Sequence, residues 1–212
     1  RACEIDDIKE EDIDHAGFNG ITCVETVGPE PGVGCAGRGI IVSLQLLDKL
    51  NVLPSVDLTL YDVLGDVVCG GFAMPIREGY ASDIYIVSSG ELMSLYAANN
   101  IAKGVRRFAV RGNVRLAGII GNSRNTPNEK KLLTEFAKRL NTKLVAFVPR
   151  DRIVNVSENS KQTVLQYAPD SVQADIYRKL AHDIWLNEDL SVPTPITFEE
   201  LEKLVDIYGT EN

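Results

Sequence analysis

The sequence predicts an α/β protein in which a parallel β-sheet is flanked by helices, and two observations lead to this prediction. Short β-branched, apolar runs alternate along the chain with longer amphipathic runs, which is the pattern of parallel βαβ units. Several strand-like runs end in polar residues, as expected at the ligand-binding edge of such a sheet. With 212 residues and 44% hydrophobic content, we expect a single domain over residues 1–212, with residues 153–212 as its C-terminal helical part.

Composition narrows the classes of function. The formal net charge is −8, from 30 acidic and 22 basic side chains, which disfavours nucleic acid as a main partner because phosphate contacts need a basic face. The chain has no run of about 18 apolar residues, so no membrane span is predicted. Its four cysteines are too few and too scattered for a secreted disulfide scaffold. We therefore expect a cytoplasmic protein with reduced thiols.

From the first stretch of sequence, we expect the chain to begin inside a larger domain. The first residue, Arg1, is not methionine, and residues 4–14 form an acidic, helix-like segment rather than a domain start. A Gly-Phe-Asn-Gly turn at residues 17–20 then leads into residues 21–27, whose weak alternation predicts a short strand.

A glycine-rich loop is predicted at residues 28–39, which contain five glycines and one cysteine, Cys35. This glycine content excludes a packed helix or strand, and such a loop suits a backbone that wraps an anion or a metal cluster. Cys35 precedes a helix-like run at residues 40–50, and the dipole at a helix N-terminus favours a thiolate. The alternative is an incidental cysteine in a flexible surface loop.

The central stretch of the chain combines acidic residues with a second cysteine. Residues 56–60 are β-branched and apolar enough for a buried strand, which would end on Asp62 and break at Gly65. Asp66 and Cys69 follow in the loop. Acidic residues at the carboxyl end of a parallel strand suit Mg²⁺ and phosphate, and a cysteine adds a soft ligand. A buried thiol after an ordinary strand-to-helix turn is the alternative.

The second half of the chain predicts further βαβ units followed by helices. Strands are expected at residues 83–88, 116–121 and 143–148, and helices at residues 91–107, 128–140, 171–186 and 198–208. Asn122 and the Arg150–Asp151 pair follow strand ends, and Trp185 is expected to be a core anchor. The last helix begins with a Thr197–Glu200 capping box. The helix predicted at residues 128–140 carries an apolar stripe of Leu132, Leu133, Phe136 and Leu140.

Two of the cysteines have surroundings that suit a metal cluster. An iron–sulfur cluster takes four thiolates, and Cys35 and Cys69 lie in glycine-containing loops, whereas Cys3 and Cys23 have no glycine beside them. Two chains on a twofold axis would each give the same pair, so the stoichiometry predicts a homodimer that shares one cluster. A mononuclear zinc site would more often use Cys-x-x-Cys pairs, and the sequence has none.

The two loops, residues 28–39 and residues 61–71, closely resemble those of the nitrogenase iron protein family, the dinitrogenase reductases. The resemblance covers nearly the whole chain and implies a P-loop NTPase-like fold of the deviant Walker A, ParA/MinD type. It extends through the runs Phe-Ala-Met-Pro-Ile-Arg (72–77), Tyr-Ala-Ala-Asn-Asn (96–100), Asn-Ser-Arg-Asn-Thr (122–126) and Phe-Val-Pro-Arg-Asp (147–151).

The resemblance implies a role for each of several residues. Cys35 and Cys69 would hold a 4Fe–4S cluster between two subunits, and Arg38 matches an arginine that is reversibly ADP-ribosylated in some members. Asp62 would close the Mg²⁺ and water site of the nucleotide, and Asp66 would belong to the switch that links nucleotide state to the cluster. Nucleotide contacts would come from Asn122, Pro149, Arg150, Asp151, Glu158, Gln173 and Tyr177.

The resemblance also implies an activity, that of the ATP-dependent electron-transfer reductase component of nitrogenase, with MgATP and a 4Fe–4S cluster as cofactors. The homodimer would take electrons from ferredoxin or flavodoxin and pass single electrons to a dinitrogenase protein, of the molybdenum–iron or an alternative type, in nitrogen fixation. Two alternatives stay open. One is the reductase component of a protochlorophyllide, chlorin or nickel-tetrapyrrole reductase, and the other is a non-redox ParA-like ATPase.

One departure from the family pattern concerns the phosphate-binding loop. No G-x-x-x-x-G-K-[S/T] run occurs in the sequence. We therefore expect an N-terminally truncated chain in which the first βα unit of the sheet is missing. On that expectation this fragment alone is inactive, because the cradle for the β- and γ-phosphates is absent.

Overall fold

The computed structural model describes residues 14–25, 36–63, 75–76, 78–110, 112 and 114–209, without the side chains of Asp14, Pro54 and residues 36–39. The chain divides into two compact units, Arg1–Tyr80 and Ala81–Asn212. That the two units form a single domain stays a prediction.

The first unit contains a small antiparallel hairpin. Its strands are β1 (Asp14–Ala16) and β2 (Thr22–Val24), which pair with each other across the 3-10 turn Phe18–Gly20. The turn closes on Gly20 at a φ of 82°, a left-handed conformation that glycine adopts without a steric penalty. The predicted turn and short strand are confirmed. The acidic helix predicted before them lies outside the described residues apart from Asp14, which begins β1.

Helix α1 (Ala36–Lys49) is the longest described element of the first unit. It confirms the predicted helix and starts earlier than expected, at the residue after Cys35. Leu44, Leu46 and Leu47 of this helix are buried, whereas Val42 is exposed. A short 3-10 turn, Leu53–Ser55, follows it.

The prediction of a buried strand over residues 56–60 is wrong. Residues 56–63 are irregular, and they pair with no strand within the part of the unit that the structure describes. Leu58 and Leu60 are 52% and 76% exposed. Strand propensity reports how well side chains fit a half-buried sheet, and the described strands β1 and β2 of this unit pair only with each other. Among the described residues of this unit, the segment therefore has no neighbouring strand with which to pair.

The second unit is built on a three-stranded parallel sheet with the order β3-β4-β5. The strands are β3 (Asp83–Ser88), β4 (Arg115–Asn122) and β5 (Leu144–Val148), and each agrees with its predicted range to within one residue at either end. Strand β4 lies in the middle, and Leu116 and Ile119 are fully buried within it. The predicted parallel sheet with flanking helices is therefore confirmed.

Six helices belong to the described part of this unit. They are α2 (Leu92–Ala109), α3 (Glu129–Arg139), α4 (Arg152–Asn159), α5 (Val164–Tyr167), α6 (Val172–Trp185) and α7 (Phe198–Tyr208). Helices α2 and α3 pack against the sheet, α7 packs on both of them, and α6 packs against β5. Helices α4 and α5 were not predicted, because they are too short to show a helical period. No helix in the described ranges is long and apolar enough to cross a membrane.

The core of the second unit is formed where α3 packs against the sheet. The predicted stripe of α3 is confirmed, since Leu132, Leu133, Phe136 and Leu140 are each no more than 1% exposed. The expectation for Trp185 is wrong, because this residue ends α6 and is 62% exposed. A large apolar side chain in the sequence does not reveal whether a neighbouring element covers it.

The segment between α6 and α7 is tied to the sheet and to α2. Ser191 and Leu116 form an isolated antiparallel bridge, with N···O distances of 2.8 and 3.0 Å. Asn99 in α2 is 1% exposed and binds Ile196 twice: its Nδ2 donates to the carbonyl at 2.8 Å, and its Oδ1 accepts from the N–H at 3.0 Å. The predicted capping box at Thr197 then starts α7 and is confirmed.

We expect the substitution Asn99→Ala to destabilise the protein strongly. It would leave the N–H and carbonyl of Ile196 buried without partners, and each orphaned group costs about 1–3 kcal/mol. The measurement is the free energy of unfolding in urea, followed by circular dichroism. The control is Asn100→Ala at the next position, where the side chain accepts only an exposed hydrogen bond from Lys103. Equal destabilisation by the two substitutions would contradict the role assigned to Asn99.

Candidate functional site

Strand ends of the second unit meet at one edge of the sheet. Asn122, the last residue of β4, is in register with Val148, the last residue of β5. The N–H of Ser123 continues this ladder by donating to the carbonyl of Val148 at 2.9 Å. Asn122 therefore lies beside the start of the Pro149–Asp151 segment. Sequence reasoning expected these polar residues at one sheet edge, and the structure brings them together there.

The segment after β5 leads into α4 through Asp151. Pro149 is half-buried, whereas Arg150 and Asp151 are exposed. Oδ1 of Asp151 accepts a hydrogen bond from the N–H of Ile153 at 2.8 Å, so Asp151 is the N-cap of α4. A carboxylate is favoured there because the first N–H groups of a helix have no partners within the helix. The cap fixes the turn that carries Pro149 and Arg150.

The remaining predicted nucleotide contacts lie on α4 and α6. Glu158 is exposed in the last turn of α4, and Tyr177 is half-buried on α6. Gln173 precedes Tyr177 by one helical turn and lies on the same side of α6. It is 2% exposed, and its Nε2 has no hydrogen-bond partner among the described residues. Because an unpaired buried donor costs about 1–3 kcal/mol, this amide suits an acceptor on a bound ligand.

A buried carboxylate that the sequence did not indicate lies at the same sheet edge. Glu129, in the first turn of α3, is 4% exposed. Its Oε1 accepts from the N–H groups of Gly90 at 2.9 Å and Arg124 at 3.0 Å. Its Oε2 accepts from the N–H of Asn125 at 3.1 Å and from the hydroxyl of Ser123. We call Glu129 and these four donors the Glu129 junction.

The Glu129 junction keeps its carboxylate ionised. Burial raises the pKa of Glu129, but the hydrogen bonds from Gly90, Ser123, Arg124 and Asn125 lower it by more, so the pKa lies below its ordinary value of 4.5. Glu129 is therefore charged at neutral pH. An acidic residue in the first turn of a helix is common, so the sequence carries no signal that this one is buried.

The loop after β3 approaches the junction closely. A Cβ added to Gly90 would come within 2.7 Å of both Cγ of Glu129 and Oγ1 of Thr126, so this position requires glycine. The preceding N–H, of Ser89, donates to the hydroxyl of Ser94 in α2 at 2.9 Å. The segment after β3 is thus hydrogen-bonded to α2 through Ser89 and to α3 through Gly90.

An open cavity of about 680 Å³ lies beside the junction. Its lining includes Asn125, Thr126, Lys131, Glu135 and Phe147. None of the seven predicted nucleotide contacts lines it. The structure therefore separates the predicted contact residues, on β4, β5, α4 and α6, from this cavity.

The predicted cluster and switch residues belong to the first unit. Asp62 is exposed in the irregular segment of residues 56–63. Helix α1 begins directly after Cys35 and includes Arg38, whose side chain is not described. Cys35, Asp66 and Cys69 lie outside the described residues.

Nearly the whole chain is similar to one known protein family. Residues 1–211 match the family model described as 4Fe-4S iron sulfur cluster binding proteins, NifH/frxC family. This family includes nitrogenase reductase and light-independent protochlorophyllide reductase subunits, and its members are homodimeric, ATP-coupled oxidoreductases that work with partner proteins.

The match confirms the resemblance that the sequence motifs indicated. It argues against the non-redox ParA-like alternative, because the family binds a 4Fe–4S cluster. The parallel sheet and flanking helices of the second unit agree with the P-loop NTPase fold of the family. The chain therefore belongs to the NifH/frxC family of 4Fe–4S iron–sulfur cluster binding proteins.

Proposed function

We propose that this chain is the reductase component of nitrogenase, an ATP-gated donor of single electrons to a dinitrogenase partner in nitrogen fixation. The family match over residues 1–211 supports the part of the proposal that makes the chain an ATP-coupled oxidoreductase. The runs Cys-Ala-Gly-Arg-Gly at residues 35–39 and Asn-Ser-Arg-Asn-Thr at residues 122–126 favour the nitrogenase branch. Ferredoxin or flavodoxin would be the electron donor, and the cytoplasm the site of action.

Cys35 and Cys69 are the proposed ligands of the cluster. Each chain of the homodimer supplies both cysteines, so that four thiolates bind one cluster. The cluster, when bound, supplies one-electron redox chemistry. The start of α1 at Ala36 supports Cys35, because the positive end of the helix dipole favours the thiolate that binds iron. Cys23 is a free thiol exposed on β2, and Cys3, like Cys35 and Cys69, lies outside the described residues.

The proposed nucleotide contacts come from the sheet edge and from α4 and α6. Asn122 and Pro149 would contact the base, with Arg150, Asp151, Glu158, Gln173 and Tyr177 completing the contact set. The unpaired Nε2 of Gln173 supports this assignment, because it is a buried donor that a ligand would satisfy. Asp62 would act on the Mg²⁺ and water of MgATP, and Asp66 would couple nucleotide state to the cluster.

The second candidate is a reductase component that serves a tetrapyrrole reductase. Ser43-Leu44-Gln45 and Ser88-Ser89 are less typical of the nitrogenase branch and leave room for a member whose partner is not dinitrogenase. Substrate turnover by anaerobically purified full-length protein, mixed in turn with dinitrogenase and with the catalytic component of protochlorophyllide reductase, separates the two. We expect ATP-dependent turnover with dinitrogenase. Turnover with the tetrapyrrole component alone would overturn the nitrogenase assignment.

We expect Cys35→Ser and Cys69→Ser each to abolish cluster binding. Each substitution removes two of the four thiolates in the dimer, and a 4Fe–4S cluster needs all four. The measurement is iron content and visible absorption of the anaerobically purified full-length protein. Cys23→Ser is the matched control and should retain the wild-type iron content. Loss of iron in the control, or its retention in either of the other variants, would refute the ligand assignment.

We expect Arg38→Glu to retain the cluster and MgATP binding but to lose electron transfer to dinitrogenase. Arg38 lies three residues after Cys35, on the segment that has to face the electron acceptor, and an arginine on a protein of net charge −8 is a suitable interface anchor. An ADP-ribose group on Arg38 would act in the same way, by blocking the docking face.

The measurement for Arg38→Glu is substrate turnover with purified dinitrogenase, together with cluster absorption before and after reduction by dithionite. The control is Arg107→Glu, which reverses an exposed charge on α2 in the second unit. We expect the control to turn over normally. Normal turnover by Arg38→Glu would remove this residue from the docking interface.

A further inference from the structure

The Glu129 junction connects three separate segments at the binding edge of the sheet. Gly90 belongs to the loop after β3, Ser123 to Asn125 belong to the loop after β4, and Glu129 itself starts α3. A single buried carboxylate thus holds both loops against one helix. The loop after β4 directly follows Asn122, the last residue of β4 and a proposed contact of the nucleotide base.

The shape of the loop after β4 depends on this carboxylate. Asn125 adopts a φ of 61°, a left-handed conformation that is uncommon outside glycine. The N–H groups of Arg124 and Asn125 both point to Glu129, and the N–H of Asn125 also donates to the hydroxyl of Ser123 at 3.0 Å. No regular ladder continues through these residues, so side-chain acceptors determine the path of the backbone.

The hydrogen-bond pattern requires two acceptor oxygens. Oε1 faces the N–H groups of Gly90 and Arg124, and Oε2 faces donors from Arg124, Asn125 and Ser123. A glutamine at position 129 would place an NH₂ group against two or more of these donors, whichever way its amide is turned. The substitution Glu129→Gln therefore disrupts the junction while changing the side-chain volume little.

We propose that Glu129 is a positioning residue for recognition of the nucleotide base. The pairing of β4 with β5 places Asn122 beside the Pro149 segment, and Glu129 fixes the three residues that follow Asn122, and with them the orientation in which Asn122 meets the base. The proposal rests on the proposed nucleotide site and adds to it a residue that does not contact the ligand. It follows that losing Glu129 weakens discrimination between bases more than it weakens phosphate binding. A purely structural role would weaken binding of all nucleotides in the same proportion.

The test compares MgADP with MgGDP, which carry the same phosphates and differ in the base. Their dissociation constants are measured by calorimetric competition on the full-length, cluster-loaded protein. For Glu129→Gln we expect MgADP to bind about tenfold more weakly, the effect of displacing one or two hydrogen-bonding groups, and MgGDP to change by less than about twofold.

Two further variants sharpen the test. Glu135→Gln makes the same chemical change two turns further along α3, where the carboxylate pairs with Lys138 at the surface, and it should bind both nucleotides as the wild type does. Ser123→Ala removes one donor from the junction and should lower the ADP-to-GDP preference by about threefold. If Glu129→Gln does not fold, the same comparison made with Ser123→Ala decides the question.

The possible results are distinct. A wild-type protein that does not bind MgADP would overturn the proposed nucleotide site and this inference with it. If the wild type binds MgADP but Glu129→Gln keeps the wild-type preference for ADP over GDP, the proposed function stands and the positioning role of Glu129 is wrong. A selective loss of MgADP affinity, absent from Glu135→Gln, supports the inference.

Discussion

The parallel pairing of β4 with β3 on one side and β5 on the other is the constraint on which the second unit depends. A central strand satisfies its backbone groups on both sides, and the helices that connect parallel strands pack on the faces of the sheet and cover it. Residues of β4 such as Leu116 and Ile119 are accordingly fully buried. Because all three strands run in the same direction, their carboxyl ends come to one edge. The proposed nucleotide contacts at the strand ends, Asn122 and residues 149–151, lie at that edge because of this geometry.

Backbone groups beyond the strand ends need partners that the ladder no longer provides, and side chains supply them. Glu129 accepts hydrogen bonds from N–H groups of the loops after β3 and β4, and Asp151 accepts one from the N–H of Ile153 in the first turn of α4. The same principle applies within the C-terminal segment, where Asn99 binds both backbone groups of Ile196. Whether buried, as Glu129 and Asn99 are, or exposed, as Asp151 is, these polar side chains stabilise loop positions rather than the core itself.

The proposed chemistry is distributed over the two units. The proposed cluster ligands, the Asp62 and Asp66 pair and Arg38 are in the first unit, whereas the proposed base contacts are in the second. An ATP-coupled electron donor of this family has to relate nucleotide state to a cluster. On the proposal made above, residues of the second unit bind the nucleotide base and residues of the first unit hold the cluster and respond to the nucleotide state. In the second unit, the Nε2 of Gln173 is buried and has no partner among the described residues, which supports its place in the proposed nucleotide site.

The sequence by itself determined the three strands and the four longer helices of the second unit, because apolar strand runs, helical stripes and the capping box at Thr197 are local patterns. It also indicated which polar residues follow the strands, and its motifs identified the family. Only the tertiary structure decided what depends on distant neighbours. Residues 56–60 have strand composition but no described strand to pair with, and Trp185 is apolar yet uncovered. Glu129 is buried because Gly90 and Ser123, far from one another in sequence, converge on it. A regular apolar stripe such as that of α3 predicts burial locally, but the burial of a lone polar or aromatic residue and the pairing of a strand depend on distant neighbours.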